Sequence, residues 1–174
     1  MYGKYQSNAA GYERRMPKIR LTKLYLRRKE QVPMEVKHIS SKEELDKAFY
    51  IRREVFIKEQ NVSPEAEFDG RDESAEHVLV YYDNQPAATG RLRIVNNIAK
   101  LERICVLPEY RKCGLGKAIV QALEDIAKKK GLTKAKLHGQ TQAKVFYEKL
   151  GYTVASDEFM EDGIPHYLML KDLN

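Results

Sequence analysis

The chain has 174 residues, which is enough for one domain with a hydrophobic core of its own. Its residues are 43% hydrophobic and 32% charged, as in a globular protein in water, and no apolar run approaches the roughly 20 residues of a membrane helix. Cys105 and Cys113 are too few for a disulfide framework or a cysteine-based metal site, so no metal is expected. This cysteine usage favours a reducing cytoplasm.

The net charge of +6 is concentrated in residues 1–33, where nine Lys or Arg face two acidic residues, a balance of +7. Residues 34–174 have a balance of −1, so we do not expect nucleic acid as a partner of this part. We interpret residues 1–33 as a basic extension: a disordered leader, an expression artefact or the product of a start codon misplaced ahead of Met34. A targeting peptide and an arm for RNA or anionic membranes are the alternatives.

A strand and a capped helix open the nearly neutral part of the chain. In residues 34–39, apolar and polar side chains alternate, which predicts a strand. Ser41 followed three residues later by Glu44 is a capping box, which predicts a helix over residues 42–60.

An acidic loop follows this helix. Pro64 stops any continuation of the helix, and residues 65–73 carry five acidic side chains. Such a loop is usually solvated, but beside a cofactor site its acids would attract a cationic amine. Glu67 and Asp69 are therefore candidate substrate contacts.

Three antiparallel strands are predicted next, over residues 77–82, 86–95 and 98–107. Tight turns join them, at Asp83-Asn84-Gln85 and at Asn96-Asn97, because asparagine tolerates the positive φ of a short hairpin.

Residues 101–117, LERICVLPEYRKCGLGK, predict a buried strand, a turn and a glycine-rich entry into a helix. Gly114 and Gly116 precede a helical pattern that continues to Gly131. The first amides of a helix have no partner and carry partial positive charge, and glycine lets an anion approach them. The spacing is neither a Walker motif nor a dinucleotide fingerprint. Three further positive charges surround the same turn, on Arg111, Lys112 and Lys117.

The remaining elements predict a mixed sheet. Residues 134–138 form a short strand parallel to the one before the helix, because a helical crossover joins the two. A short helix over residues 141–150 and two strands, over 152–155 and 167–170, complete the chain. The order β, α, three β, α, β, α, β, β indicates an α/β (α+β) fold with helices on the faces of the sheet.

Three motifs in this order resemble the GNAT superfamily of N-acetyltransferases. Arg111-x-x-Gly114-x-Gly116 is similar to the loop that binds the pyrophosphate of acetyl-CoA. Residues 143–152, AKVFYEKLGY, are similar to the A-x-x-F-Y-x-x-x-G-F/Y segment of that superfamily. Residues 161–166, EDGIPH, and residues 52–60 resemble ElaA-type and YjcF-type members. The resemblance covers residues 34–174.

This resemblance implies a GNAT fold with about six to seven strands and about four helices, splayed between the fourth and fifth strands. The pantetheine arm of acetyl-CoA would pair with exposed backbone at Ile104, Cys105 and Val106. The pyrophosphate would be bound by a loop that consists of Arg111, Lys112, Cys113, Gly114, Leu115, Gly116 and Lys117. Gln140 stands where many relatives have an asparagine that contacts the pantetheine.

Acetyl transfer to an amine needs a proton acceptor, because a protonated amine cannot attack a thioester. Glu102 is the candidate, since a glutamate occupies the similar position in glucosamine-phosphate N-acetyltransferases. A water relay is the alternative base, and Glu102 would then form an ion pair with Arg91, Arg93 or Arg103.

Tyr147 resembles the tyrosine that commonly protonates the departing CoA thiolate, with a packing role as the alternative. Cys105 lies in an apolar strand without a nearby histidine in sequence, so an inert buried thiol is favoured over a nucleophile. His138 ends a strand that faces the cleft in this fold and is a further candidate substrate contact.

The resemblance therefore implies that acetyl-CoA donates an acetyl group to a primary amine by direct attack in a ternary complex. The acceptor stays open among a polyamine, an aminosugar, an amino acid and a protein lysine, and many members of the superfamily form homodimers. Two other classes remain: a module that senses acyl-CoA without turnover, and a nucleic-acid-associated protein that uses residues 1–33. Acyl-homoserine-lactone synthases share the fold, but the final-strand motif fits ElaA-type proteins better.

Overall fold

The computed structural model describes residues 32–173, and the interpretation of residues 1–31 as part of a basic extension lies outside them. The described residues form a mixed sheet flanked by four α-helices, as the resemblance implies. The strands are β1 (Met34–His38), β2 (Glu76–Tyr82), β3 (Gln85–Val95), β4 (Ile98–Val106), β5 (Lys134–Gln140), β6 (Thr153–Val154), β7 (Phe159–Glu161) and β8 (Ile164–Asp172). The helices are α1 (Lys42–Arg52), α2 (Pro64–Glu67), α3 (Leu115–Lys129) and α4 (Lys144–Lys149). No helix within residues 32–173 has both the length and the hydrophobicity to cross a bilayer.

The strand order is β1-β2-β3-β4-β5-β8-β6, and β7 also pairs with β8. β1 to β4 are antiparallel neighbours. Both predicted asparagine turns are confirmed, since Asp83, Asn84, Asn96 and Asn97 all have φ between 52° and 60°. β5 runs parallel to β4, with α3 as the crossover between them.

β4 and β5 pair only over their first halves. Their register has three residue pairs and ends with Leu101 opposite Leu137. β5 stays paired with β8 along its whole length, from Lys134 to Gln140. The second half of β4 therefore has a free edge toward β5, which confirms the predicted splay.

The sheet has a hydrophobic core on each face. α3 and α4 cover one face, where Leu123 of α3 belongs to the same buried cluster as Leu137 of β5. α1 and the segment after it cover the other face, where Ile51 clusters with Leu79 and Cys105. Because neighbouring residues of a strand point to opposite faces, β2 contributes Val78 and Val80 to one core and Leu79 to the other.

The helix predicted over residues 42–60 is two helices of different type. Its capping box is confirmed, since Ser41 Oγ accepts a hydrogen bond from the Glu44 amide at 3.2 Å. α1 then continues as a π-helix over Arg53–Glu59. π-turns often mark functional sites, and this one ends beside the open half of β4.

Two local features differ from the expected loop and strand bounds. Pro64 begins the short helix α2, because a proline at the first helical position has no hydrogen bond to lose. The last strand begins at Ile164 rather than at residue 167, and it pairs with β7 in a hairpin whose turn at Asp162 and Gly163 has positive φ. β7 has only three residues, too few for a period-2 pattern to be recognised.

Three of the five acidic side chains of the loop are folded onto the sheet, and Glu65 and Glu73 are exposed. Arg91 of β3 is fully buried beneath it. Its guanidinium donates five hydrogen bonds, all to the carboxylates of Asp69, Asp72 and Glu102. A second buried arginine, Arg52 of α1, donates to Glu67 and Asp72. If the loop were solvated, the positive charges of these two buried guanidiniums would have no carboxylates to neutralise them.

Candidate active site

A cleft of about 750 Å³ opens where β4 and β5 diverge. It extends from the beginning of α3, past the free edge of β4, to the β7–β8 hairpin. The predicted site residues that line it are Glu67, Glu102, Ile104, Cys105, Val106, Arg111, Lys112, Gly114, Leu115, Gly116, Lys117, His138, Gln140 and Tyr147. Asp69 and Cys113 do not line it.

The beginning of α3 forms one end of the cleft. Gly114 is the residue before the helix, and its φ of +84° is a left-handed conformation that favours glycine. The first intrahelical hydrogen bond runs from the Ala118 amide to the Gly114 carbonyl, so the three preceding amides have no acceptor within the helix. Together with Lys112 and Lys117 they can bind a diphosphate.

Gly116 has a packing role as well. A Cβ atom at this position would come within 3.2 Å of the Phe146 ring of α4. The glycine therefore lets α4 pack against the beginning of α3, in addition to leaving room for an anion.

Arg111 makes contacts that sequence reasoning did not anticipate. Its guanidinium donates to both carboxylate oxygens of Glu59, at 2.8 and 2.5 Å, and its Nε donates to the Val106 carbonyl at 3.2 Å. The hydrogen bond from Arg111 keeps the pKa of Glu59 below its ordinary value. The π-helix thus holds the arginine across the entrance of the cleft.

Gln140 lies at the end of β5 and also contacts the π-helix end. Its side-chain amide donates to Gln60 Oε1 at 2.9 Å. This contact joins the end of β5 to the segment after α1. It lies in the region where β4 and β5 are no longer paired. A pantetheine contact by Gln140 stays a prediction.

The free half of β4 contains a bulge. Thr89 pairs with Cys105 and Arg91 with Glu102, so the two residues between them on β4 face only Gly90 on β3. Arg103 in this bulge has a φ of +54°. A side chain at Gly90 would meet Ile119 of α3 at 2.5 Å, so the glycine lets α3 pack closely behind the bulge.

Tyr147 of α4 approaches the cleft from the α3 face. Its side chain is 8% exposed, and burial, followed by the neighbouring Cys105, raises the pKa of its phenol well above the ordinary value. No group within residues 32–173 hydrogen-bonds to the hydroxyl, whereas every fully buried polar side-chain atom there has a partner. The hydroxyl is therefore protonated and in contact with the interior of the cleft.

Glu102 forms a cluster of ion pairs. Its carboxylate accepts hydrogen bonds from Arg93 at 2.7 and 2.8 Å and from Arg91 at 2.8 and 3.1 Å, and Lys100 lies at 2.9 Å. Burial alone would raise the pKa of Glu102, but these cations hold it well below the ordinary value. Because so weak a base accepts a proton poorly, the geometry favours the ion-pair alternative for Glu102, although Arg103 is not a partner.

The two acidic candidates for substrate contacts are also paired. Asp69 forms a bidentate ion pair with Arg91 away from the cleft, and this keeps the pKa of Asp69 well below its ordinary value. Glu67 lines the cleft but is 2% exposed and lies between Arg52 and Arg103, at 2.5 and 2.9 Å. Neither carboxylate is free for an amine, since the arginines from α1, β3 and β4 occupy both.

The cysteines have no nucleophilic arrangement. Burial raises the pKa of the Cys105 thiol far above the range in which a thiolate forms at neutral pH, as expected for an inert thiol. Cys113 is exposed, and its thiol contacts the Arg111 carbonyl at 3.7 Å rather than the cleft. Within residues 32–173, no three His, Cys, Asp or Glu side chains converge as metal ligands would.

The far end of the cleft contains a histidine–carboxylate pair. His138 Nδ1 lies 3.0 and 3.1 Å from the two carboxylate oxygens of Glu161. His166 of β8 lies in the same region and stacks on the ring of Phe159. Sequence reasoning did not find Glu161 as a site residue, although the motif EDGIPH begins with it; the contact joins residues 23 positions apart.

The splayed sheet, the free amides at the beginning of α3 and the tyrosine beside the free strand edge together define the class of protein. Residues 32–173 match the model of the acetyltransferase (GNAT) domain, and the chain belongs to that family. Members of this family transfer acyl groups from coenzyme A thioesters, with acetyl-CoA as the typical donor.

Curated relatives place the chain within the family. It is 59% identical over 144 residues to YyaT of Bacillus subtilis strain 168, an uncharacterised protein, and the match covers 81% of this chain and 97% of YyaT. It is 47% identical over 133 residues to the uncharacterised N-acetyltransferase YjcF of the same organism, covering 76% and 95% of the two chains.

Solved structures agree with this placement. A putative N-acetyltransferase from Lactobacillus plantarum is 31% identical, with a TM-score of 0.76 over 81% of this chain and 99% of that one. Escherichia coli ElaA shares the fold at 21% identity, with a TM-score of 0.69 over 80% of this chain and 99% of its own. The predicted resemblance to the ElaA-type and YjcF-type group is therefore confirmed.

Proposed function

We propose that residues 34–174 transfer an acetyl group from acetyl-CoA to a primary amine by direct attack in a ternary complex. One observation carries this proposal: β4 and β5 separate after Leu101 and Leu137, and the resulting cleft contains both the free amides of α3 and the Tyr147 hydroxyl. A thioester carrier spanning the cleft would have its diphosphate at one end and its sulfur near the tyrosine.

The donor would bind through the chain's backbone more than through side chains. The amides of residues 115–117 and the ammonium groups of Lys112 and Lys117 would hold the diphosphate. The free edge at Ile104 to Val106 offers main-chain groups to the amides of the pantetheine arm, as a missing neighbouring strand would.

Tyr147 would act as the acid. As the C–S bond breaks, the sulfur would gain charge, and the hydroxyl would donate a hydrogen bond and then a proton to it. Its raised pKa keeps the phenol protonated throughout the neutral range. The amides of the β4 bulge around Arg103 would polarise the acetyl carbonyl, because hydrogen-bond donors there stabilise the developing oxyanion.

The acceptor would enter from the other side of the sheet, between α2 and the β7–β8 hairpin. Glu161 and Asp162 of the hairpin line that part of the cleft and would attract a cationic amine. Glu67 and Asp69 take no part in this proposal as direct contacts, because arginines neutralise both.

The test mixes the purified protein with acetyl-CoA and an acceptor panel: a polyamine, an aminosugar, amino acids and a lysine peptide, with an alcohol and a thiol as non-amine acceptors. Thiol release is followed over time, and mass spectrometry locates the acetyl group. Acetylation of one or more amines is the expected result. Tight CoA binding without thiol release for any acceptor would favour a module that senses acyl-CoA, and turnover confined to the alcohol or thiol would contradict an amine acceptor.

A further inference from the structure

His138 and Glu161 have the geometry of an oriented base. Both oxygens of Glu161 lie close to His138 Nδ1, at 3.0 and 3.1 Å, and the Phe159 ring packs edge-on against the imidazole at 5.1 Å between centroids. The His138 side chain is 28% exposed and lines the cleft. A ring held from two directions keeps one orientation toward the cleft.

The carboxylate also determines the tautomer. The hydrogen bond from His138 lowers the pKa of Glu161, so the carboxylate is ionised at neutral pH and can only accept. In the neutral imidazole, Nδ1 must therefore carry the single proton, and the lone pair is on Nε2. No group within residues 32–173 hydrogen-bonds to Nε2, and since every fully buried polar side-chain atom there has a partner, this nitrogen is open to the cleft.

His138 and Tyr147 lie on opposite faces of the sheet. Gly139 faces the α3 side, where a Cβ atom would come within 3.1 Å of the Tyr147 ring. Its neighbour His138 points to the opposite face of the sheet. His138 is level with Glu102 on the diverging strand, because Leu137 pairs with Leu101 one residue earlier. Tyr147 therefore approaches the cleft from the α3 side of the sheet, where the thiol would leave. His138 approaches it from the opposite side, where the acceptor would enter.

From this geometry we infer that His138 is the general base of the acetyl transfer and that Glu161 is its positioning residue, an inference that rests on the proposed function. His138 Nε2 removes one proton from the acceptor's ammonium group. The freed amine nitrogen forms a bond to the acetyl carbon, and the C–S bond breaks. The second nitrogen proton leaves as the amide forms, while Tyr147 protonates the thiolate and takes up that second proton. His138 then releases its proton to solvent, so one amide, one thiol and one proton result.

Two other histidines serve as comparisons. His166 also lines the cleft, but its Nδ1 lies 2.8 Å from the Ile164 carbonyl, a neutral group that stabilises an imidazolium less than a carboxylate does. His38 forms a similar pair with Glu76, at 2.6 Å, but lies on the edge strand β1 outside the cleft. If activity is lost only when His138 is replaced, the loss reflects the position of His138 in the cleft and its pairing with Glu161.

The experiment compares two small acceptors of nearly identical shape, each at high concentration. Ethylamine is an ammonium ion at neutral pH and needs a base, whereas methoxyamine is already neutral. We expect H138Q to lower kcat with ethylamine by about 10²-fold, within the range for a lost general base, and to change turnover of methoxyamine less than about threefold. E161Q should show the same selective loss and E161D should recover part of it. H38Q, which changes a similar pair outside the cleft, should resemble the wild type.

Calorimetry measures the CoA affinity of each variant, and an affinity like that of the wild type shows that the variant is correctly folded. H138A with added imidazole is the second variant, and partial recovery with ethylamine is expected. Equal losses with both acceptors, or no loss with either, would overturn the inference while leaving the proposed function standing. A wild-type protein that binds CoA but turns over neither probe nor any amine of the panel would overturn both.

Discussion

Arg91 and Glu102 are adjacent on β3 and β4, and the buried guanidinium donates two hydrogen bonds to one oxygen of the carboxylate, at 2.8 and 3.1 Å. Since Arg93 and Lys100 approach the same carboxylate, Glu102 compensates three cations beside the β4 bulge. The position that resembles a catalytic glutamate in sequence is thus the anionic centre of a structural network.

Replacing Glu102 tests this role. E102Q should lower the free energy of unfolding by about 3 kcal/mol, because it leaves buried cations without their counter-charge. The pH dependence of kcat/KM should stay that of the wild type, since Glu102 is ionised throughout the neutral range. Urea titration and a pH–rate profile measure the two effects. E43Q, in the surface pair Glu43–Lys47 whose glutamate is 81% exposed, should not move the urea midpoint. A displaced pH–rate profile for E102Q would restore Glu102 as the base.

Acid should unfold the protein through the same network. The pKa values of Asp69 and Glu102 are lowered in the folded state, so their ion pairs stabilise the fold above the unfolded values of roughly 4 and are lost as pH falls through the folded ones. The urea midpoint should therefore decrease steadily below about pH 4. D69N should be less stable at neutral pH and lose less on acidification. Equal acid sensitivity of D69N and the wild type would show that this pair does not contribute.

Removing the Tyr147 hydroxyl should affect the reaction without affecting the fold. Y147F should lower kcat by about 10²-fold with unchanged stability, because no group within residues 32–173 loses a hydrogen bond. The matched control is Y152F, whose hydroxyl donates to Glu124 at 2.9 Å in the core. That variant should lose about 1 kcal/mol of stability and keep its kcat. If Y147F retains full turnover, the tyrosine has a packing role only.

The turn before α3 should control donor affinity. G114A forces an alanine into φ +84° and should weaken CoA binding about tenfold, as the loop relaxes away from the diphosphate position. G131A is the control, because Gly131 has φ +77° and equally open surroundings but lies beyond the far end of the helix. Both variants should lose similar stability, and calorimetry should show weaker CoA binding for G114A alone.

The Glu59–Arg111 pair should compete with the donor. If Arg111 contacts the diphosphate, E59Q frees its guanidinium, and CoA should bind up to about fivefold more tightly, the equivalent of an exposed ion pair. The gain should be largest at low ionic strength. Weaker binding by E59Q would instead mean that the pair holds the entrance of the cleft in its binding shape.

Much of the fold was predictable because its signals are local. The asparagine turns, the capping box and the glycine before α3 each depend on the conformational preference of one or two residues. The change to a π-helix at Arg53 was not predictable, since it changes the hydrogen bonding of residues whose helical propensity is ordinary. β7 was missed because three residues are too short for a periodic pattern.

The sequence by itself determined the class of this protein, because the motifs for the diphosphate turn and for the α4 tyrosine are each contiguous. Only the tertiary structure decided which charged groups are free to act. Glu102 is 11 residues from Arg91, Asp69 is 22 from Arg91, and His138 is 23 from Glu161. Ion pairing depends on distances of a few ångströms between side chains from different strands and loops, and these arise only when the sheet assembles.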